Sequence, residues 1–198
     1  MNEQEIMAEF VAAEAILRGH FILSSGLHSD TYLQCARVLM NPKRAEKLCA
    51  ALAEKLRDKL GVQTIDLVVA PAMGGVVVGY EMGRQLGVET IFCEREAGEF
   101  TLRRGFTIPE GANILLVEDV VTTGKSSLET VECIARHGGK VVAEVSLIDR
   151  SNGTHNLPFP LVSLLTLDVK SYPADHLPPH LEGTEAVKPG SRWLQKKG

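Results

Sequence analysis

The sequence predicts an α/β fold built on a mostly parallel, doubly wound sheet flanked by helices. Short, fully apolar runs alternate with amphipathic stretches of helical period, and glycine-rich turns separate them. Apolar strands with intervening helices are typical of a parallel sheet that is buried on both faces. With 198 residues, of which 44% are hydrophobic and 23% charged, the chain is large enough for one main core.

Residues 1–40 are predicted to form a small hood beside this core. Apolar side chains recur at helical spacing over residues 2–18, which favours a helix that ends at Gly19. A polar, glycine-containing turn within residues 20–34 then indicates a hairpin.

Residues 41–170 are predicted to form the core. Asn41 followed by Pro42 is typical of a helix start, and the apolar stripe that follows continues to Gly61. The order of apolar strand, turn and helix is then repeated along the chain. The predicted strands are 67–70, 90–93, 114–117, 141–148 and 161–167, and the predicted helices are 76–86 and 124–137.

Residues 171–198 contain four prolines, which break up any long element. This pattern predicts an irregular C-terminal segment that packs on the core and the hood.

Composition and charge argue against several classes of protein. The formal net charge of −4 leaves no basic field that would attract nucleic acid or an anionic membrane. The first residues lack the pattern of a secretory signal, and no stretch approaches the roughly 18 apolar residues of a membrane span, so we expect a cytoplasmic protein. The four cysteines are widely separated and lack clustered histidines, which favours free thiols over a zinc site.

The most informative stretch runs from Ile114 to Ser126. An apolar strand leads into two adjacent acids, and a turn rich in threonine and glycine then opens a helix. Ligands of open α/β sheets bind at the carboxyl ends of strands, and a helix N-terminus offers free backbone N–H groups, so this turn is expected to bind a phosphate. The predicted substrate-binding residues here are Glu118, Asp119, Val120, Val121, Thr122, Thr123, Gly124, Lys125 and Ser126.

The two acids indicate which phosphate ester is bound. Carboxylates beside a phosphate repel it unless they face hydroxyl groups or a cation, and a ribose diol with hydrated Mg²⁺ supplies both. We therefore expect a sugar phosphate as ligand and Mg²⁺ as cofactor. The ion is expected to be held mainly by substrate and water near Glu118 and Asp119, without a direct protein ligand.

A nucleotide-binding P-loop is the alternative for the same turn. Gly124, Lys125 and Ser126 match the end of the pattern G-x-x-x-x-G-K-[ST]. Asp119 stands where the first glycine of that pattern belongs, and its charge would oppose a bound triphosphate. The sugar-phosphate interpretation is therefore favoured.

The stretch from Val117 to Gly124 resembles the binding motif of the type I phosphoribosyltransferases, in which four apolar residues, two acids and two variable residues precede a T-x-G turn. Within that family, three further segments resemble the orotate phosphoribosyltransferases. These segments are Phe21–Gly26, Asp149–Arg150 and Lys188–Arg192.

The resemblance covers nearly the whole chain and implies the type I phosphoribosyltransferase fold. It also implies an activity in pyrimidine (UMP) biosynthesis, the transfer of ribose 5-phosphate from 5-phosphoribosyl 1-pyrophosphate to orotate. The products would be orotidine 5′-phosphate and pyrophosphate.

The resemblance further implies roles for single residues. Glu118 and Asp119 would contact the ribose hydroxyls and act as catalytic residues, and Arg150 would pair with the carboxylate of orotate. The polar segment 94–106 is expected to be a lid, and in this family such a lid closes over the active site of the neighbouring subunit, which implies a homodimer. The arginines of the lid would bind pyrophosphate, and they are Arg95, Arg103 and Arg104. Arg103 would also be a catalytic residue.

Simpler interpretations stand beside several of these assignments. The three arginines also suit solvated surface ion pairs, Arg150 also suits an ion pair with Asp149, and Gly74–Gly75 is either a second anion loop or only a tight turn. The loop carries arginines where the better-known family form has lysines and a histidine. Ser24 stands where many members have a lysine that contacts the substrate, and that role is not assigned to it.

Two other functions remain open. The same fold acting on a purine or another pyrimidine is one. A non-catalytic regulator that senses the ribosyl donor and binds nucleic acid is the second, although such proteins need an extended basic face.

Overall fold

The computed structural model describes residues 1–23, 25–61 and 64–189, and within these ranges the chain forms five helices and eight strands. The predicted α/β class is confirmed. The helices are α1 (Glu3–Ala12), α2 (Cys35–Leu39), α3 (Pro42–Leu60), α4 (Gly74–Leu86) and α5 (Lys125–Arg136). The strands are β1 (Ile16–Ile22), β2 (His28–Leu33), β3 (Leu67–Pro71), β4 (Glu89–Glu96), β5 (Glu99–Leu102), β6 (Asn113–Val121), β7 (Lys140–Asp149) and β8 (Leu161–Thr166).

The central sheet has six strands in the order β5-β4-β3-β6-β7-β8. All neighbouring strands run parallel except β5, which pairs antiparallel with β4 at one edge. Because parallel strands end at the same edge of a sheet, the carboxyl ends of β3, β6 and β7 lie side by side. The two acids predicted above lie at this edge of the sheet, and the phosphate turn comes directly after them.

Helices cover both faces of the sheet, as the apolar strands require. Leu115 packs in a large core with α1, α2, α3 and α4, whereas the adjacent Ile114 packs in a second core with α5. Successive side chains of a strand point to opposite faces of the sheet. Helices cover both faces, so neighbouring residues in the β6 run from Ile114 to Val117 are all apolar.

The first core helix starts and ends where the sequence predicts. The side chain of Asn41 accepts hydrogen bonds from the backbone N–H groups of Lys43 and Arg44 at 3.1 and 3.3 Å, and Pro42 occupies the first helical turn. The chain leaves α3 at Gly61, which has a φ of 67°.

The helix predicted over residues 2–18 is wrong in its second half. Helix α1 ends at Ala12, Glu14 has a positive φ of 49°, and β1 has begun by Ile16. Ile16 lies opposite Leu33 of β2, so pairing with a distant strand overrides the local helical spacing.

The hairpin of β1 and β2 is joined to the C-terminal segment. The backbone N–H of Val187 donates to the carbonyl of His20, and the N–H of Ile22 donates to the carbonyl of Val187, both at 2.8 Å. His20 Nδ1 also lies 2.8 Å from Thr184 Oγ1. In its described part, residues 171–189 have no helix or regular strand. The division of the chain at residues 40 and 170 stays a prediction.

None of the helices in the described part of the chain has the length and apolar character needed to span a membrane.

Candidate active site

The two acids of the motif lie inside β6, which extends four residues beyond the predicted end of the strand. The expected strand ends at Val117, whereas β6 continues to Val121 because its outer half pairs with β7, with Glu118 opposite Ser146. The strand therefore fixes the backbone of both acids at the carboxyl edge of the sheet.

Glu118 and Asp119 are half-buried and close together. The backbone N–H of Asp119 donates to Glu118 Oε2 at 3.2 Å, and the N–H of Val120 donates to Asp119 Oδ1 at 2.9 Å. Removal from water and the neighbouring Asp119 raise the pKa of Glu118 to about 9, and removal from water also raises the pKa of Asp119. The pair therefore favours ligands that donate hydrogen bonds or carry positive charge.

The phosphate turn, residues 122–126, comes directly after β6. Gly124 adopts the left-handed conformation, with a φ of 77°, and precedes α5. The backbone N–H of Lys125 donates to Thr123 Oγ1 at 3.3 Å. Thr122 and Thr123 are exposed and Ser126 is half-buried, so their hydroxyl groups surround the N-terminus of the helix. This is the geometry of an anion site.

A second glycine turn, between β3 and α4, contacts the acids. A Cβ atom at Gly74 would lie 2.7 Å from Asp119 Oδ1, and one at Gly75 would lie 2.8 Å from the carbonyl oxygen of Val117. Because β6 approaches so closely, neither position has room for a side chain. A tight turn alone would not explain why both positions need glycine.

A cleft of about 410 Å³ opens beside the phosphate turn. Three parts of the chain line it: the carboxyl edge of the sheet, the β1–β2 hairpin and the C-terminal segment. Its lining residues are Ile22, Leu23, Ser25, Leu27, Tyr32, Thr122, Thr123, Arg150, Ser151, Thr154, Val169, Ser171, Lys188 and Pro189.

Several of these residues are missing from the sequence-based site. Tyr32 lies near Asp119, since burial and the charge of Asp119 both raise the pKa of its phenol. No local pattern in the sequence indicates that Tyr32 reaches the cleft. Lys188 belongs to a segment that the resemblance identified, but no local pattern shows that it reaches this cleft.

Arg150, which the resemblance assigns to the carboxylate of orotate, lines the cleft. Its backbone N–H donates to the carbonyl of Val121 at 2.8 Å, which ties it to the phosphate turn. Asp149 instead accepts from the backbone N–H of Ser151 at 2.7 Å. Within the described ranges the buried Nε of Arg150 has no hydrogen-bond partner, and burial lowers the pKa of the guanidinium. A half-buried guanidinium whose Nε has no hydrogen-bond partner among the described residues is suited to an anionic ligand.

The segment predicted to be an open lid is a β-hairpin. Strands β4 and β5 pair with Arg95 opposite Phe100, and the two-residue turn is Ala97–Gly98, with φ values of 50° and 95°. Positive φ at both turn residues is the geometry of a tight hairpin turn. The charged residues of this edge obscure the strand pattern in the sequence, and the role of the segment as a lid stays a prediction.

The three arginines of this segment pair with carboxylates, and none is among the cleft-lining residues. Arg95 pairs with Glu129 and lies 4.1 Å above the Phe100 ring. Arg104 makes two hydrogen bonds of 2.8 Å to Glu94. Arg103 is held more loosely, since its ion pair with Glu96 measures 3.8 Å.

Four residues of the resembling segments lie outside the described residues. They are Ser24, Gly190, Ser191 and Arg192.

The model of the phosphoribosyl transferase domain matches residues 39–181. This match and the fold define a phosphoribosyltransferase. The orotate phosphoribosyltransferase of Sphingopyxis alaskensis is 59% identical over 97% of this chain and 98% of its own length, and that of Rhizorhabdus wittichii is 56% identical over 97% of each chain. The chain belongs to the orotate phosphoribosyltransferase family.

Solved structures agree on the fold. The crystal structure of orotate phosphoribosyltransferase from Aeropyrum pernix superposes with a TM-score of 0.66 at 25% identity, covering 81% of this chain and 93% of that one.

Proposed function

We propose that this protein transfers ribose 5-phosphate from 5-phosphoribosyl 1-pyrophosphate to orotate. The products are orotidine 5′-phosphate and pyrophosphate, so the reaction belongs to pyrimidine biosynthesis. One observation carries the proposal: a chain that is 59% identical to an orotate phosphoribosyltransferase over nearly its whole length joins, in one cleft, a phosphate turn and an arginine whose Nε has no hydrogen-bond partner among the described residues.

The donor is expected to bind along the outer end of β6. The turn over residues 122–126 holds the 5-phosphate through backbone N–H groups and hydroxyls, and Glu118 and Asp119 accept hydrogen bonds from the ribose hydroxyls. Carbon 1 of the ribose gains positive charge as pyrophosphate leaves, and nearby carboxylates stabilise that charge more than the neutral ground state. The two acids therefore favour the transition state.

The acceptor is expected to bind on the other side of the cleft. A guanidinium forms two parallel hydrogen bonds with a carboxylate, and within the described part of the chain the Nε of Arg150 has no hydrogen-bond partner. Arg150 would hold orotate by its carboxylate near the phosphate turn. This contact also favours orotate over purines and over pyrimidines without a carboxylate.

Magnesium fits the same site. Within the described ranges no group of three or more His, Cys, Asp or Glu side chains could hold a metal ion, so Glu118 and Asp119 would assist an ion bound chiefly by donor oxygens and water. When bound, Mg²⁺ neutralises charge on the departing pyrophosphate.

The arginines of the β4–β5 hairpin are proposed to act across a dimer. Arg95, Arg103 and Arg104 are exposed and do not line the cleft of their own chain, although pyrophosphate needs cationic partners. A second copy whose hairpin reached the cleft would supply them. We propose that this homodimer is cytoplasmic.

Turnover is tested by the loss of orotate ultraviolet absorbance after addition of the ribosyl donor and Mg²⁺. Wild-type protein should consume orotate and Asp119→Asn should be at least 100-fold slower, the scale for losing one electrostatic contact to the transition state. Folded wild-type protein that leaves the absorbance unchanged would refute the proposal.

The acceptor contact is tested separately by Arg150→Ala. This variant should raise the KM for orotate much more than the KM for the donor, because only orotate carries the carboxylate. Equal losses for both substrates would remove the assignment of Arg150.

A further inference from the structure

The described residues that line the cleft include two cations and no acid. Arg150 follows the end of β7, and Lys188 comes from the C-terminal segment. The remaining lining residues are apolar or carry neutral hydroxyl groups. A cleft with this charge attracts anions, and its two cations come from separate walls.

The backbone holds Lys188 at this position. Both hydrogen bonds that join Val187 to the β1–β2 hairpin lie immediately before it, at 2.8 Å each. Pro189 follows it, and a proline restricts the preceding residue to extended conformations. Lys188 therefore extends from an anchored, stiffened stretch of chain, which reduces the entropy lost when its side chain engages a ligand.

The side chain of Lys188 is not engaged elsewhere in the part of the chain that the structure describes. Lys188 is exposed, and no ion pair or side-chain hydrogen bond is formed by its amine there. Every hairpin arginine, by contrast, has a carboxylate partner. The amine of Lys188 is thus available to a ligand in the cleft.

We infer that Lys188 is a second acceptor-specificity residue, which binds the orotate anion from the C-terminal segment, apart from Arg150 at the end of β7. This inference rests on the proposed function. The phosphate turn already supplies the donor 5-phosphate with backbone and hydroxyl donors, so the cation of the C-terminal segment serves the acceptor. Arg150 fixes the carboxylate by two directed hydrogen bonds, and Lys188 adds a mobile point charge.

Steady-state kinetics with both substrates varied tests this role. Lys188→Gln should raise the KM for orotate about tenfold, the scale of one charge-assisted hydrogen bond, and leave the KM for the donor within about twofold. Lys188→Arg keeps the charge and should recover most of the orotate affinity. Lys170→Gln is the matched control, because Lys170 is an exposed lysine of the same region that does not line the cleft.

The outcomes separate the inference from the proposed function. An unchanged KM for orotate in Lys188→Gln, or an equal rise in both KM values, overturns the role of Lys188 while wild-type turnover persists. A wild-type protein that does not consume orotate overturns the proposed function, and this inference with it.

Discussion

The contact between Gly74 and Asp119 gives a sharp prediction about catalysis. A Cβ atom at Gly74 would lie 2.7 Å from Asp119 Oδ1, whereas ordinary contacts begin at 3.4 Å, so Gly74→Ala must displace the carboxylate by about 0.7 Å. A misplacement of about 1 Å in an active site costs about 100-fold in rate, so we expect kcat/KM to fall roughly 10- to 30-fold, or about 1.4–2 kcal/mol.

Stability should respond in a different way. The carboxylate that must move is the end of a side chain, and alanine is a better helix residue than glycine, so the free energy of unfolding of Gly74→Ala should stay within about 1 kcal/mol of wild type. Gly75→Ala is the matched control, because its Cβ would meet the carbonyl oxygen of Val117 at 2.8 Å. That atom belongs to the β6 backbone, which is unable to rotate away.

Orotate absorbance assays and urea unfolding of both variants measure the two effects. Gly74→Ala should lose activity with little loss of stability, and Gly75→Ala should lose stability. A fully active, stable Gly74→Ala would refute the reasoning that the Asp119 carboxylate must stay where Gly74 allows it.

Two further predictions concern charge. Burial raises the pKa of Glu144 to about 7, so the folded chain binds a proton that the unfolded chain releases near pH 4.5, and stability should fall as pH rises between these values. Glu144→Gln should remove about 2.5 kcal/mol of that decline in urea unfolding at pH 5 and pH 8, and identical pH profiles would contradict this. Arg103→Ala should lower kcat about 100-fold without changing stability. Arg95→Ala should lower stability by about 1 kcal/mol in addition to lowering activity, because Arg95 also pairs with Glu129; unchanged unfolding curves for this variant would contradict the structural part of its role.

Local sequence patterns predicted the parts of the fold that are determined by interactions between neighbouring residues. Asn41 and Gly61 mark the ends of α3, since capping involves only neighbouring residues. The run before Glu118 predicted a strand with two buried faces, because each face needs its own apolar residues. The motif and its order in the chain were sufficient to place the phosphate turn at the edge of the sheet.

Long-range pairing explains the errors. Ile16 suits both a helix and a strand, and only Leu33, seventeen residues later, decides between them. In the sequence, Arg95 has the character of a solvated loop residue. Only its pairing with Phe100 across the hairpin shows that it belongs to a strand. The sequence does not predict Tyr32 as a site residue for the same reason, because its place in the cleft depends on contacts between distant segments.

The link between His20, Ile22 and Val187 has a consequence for how the enzyme matures during synthesis. The cleft wall that this link holds lies near the end of the described chain and needs the first hairpin as its partner, so it forms only after nearly all of these residues have been synthesised. Chains that end before Val187 should therefore lack this wall while still containing the phosphate turn.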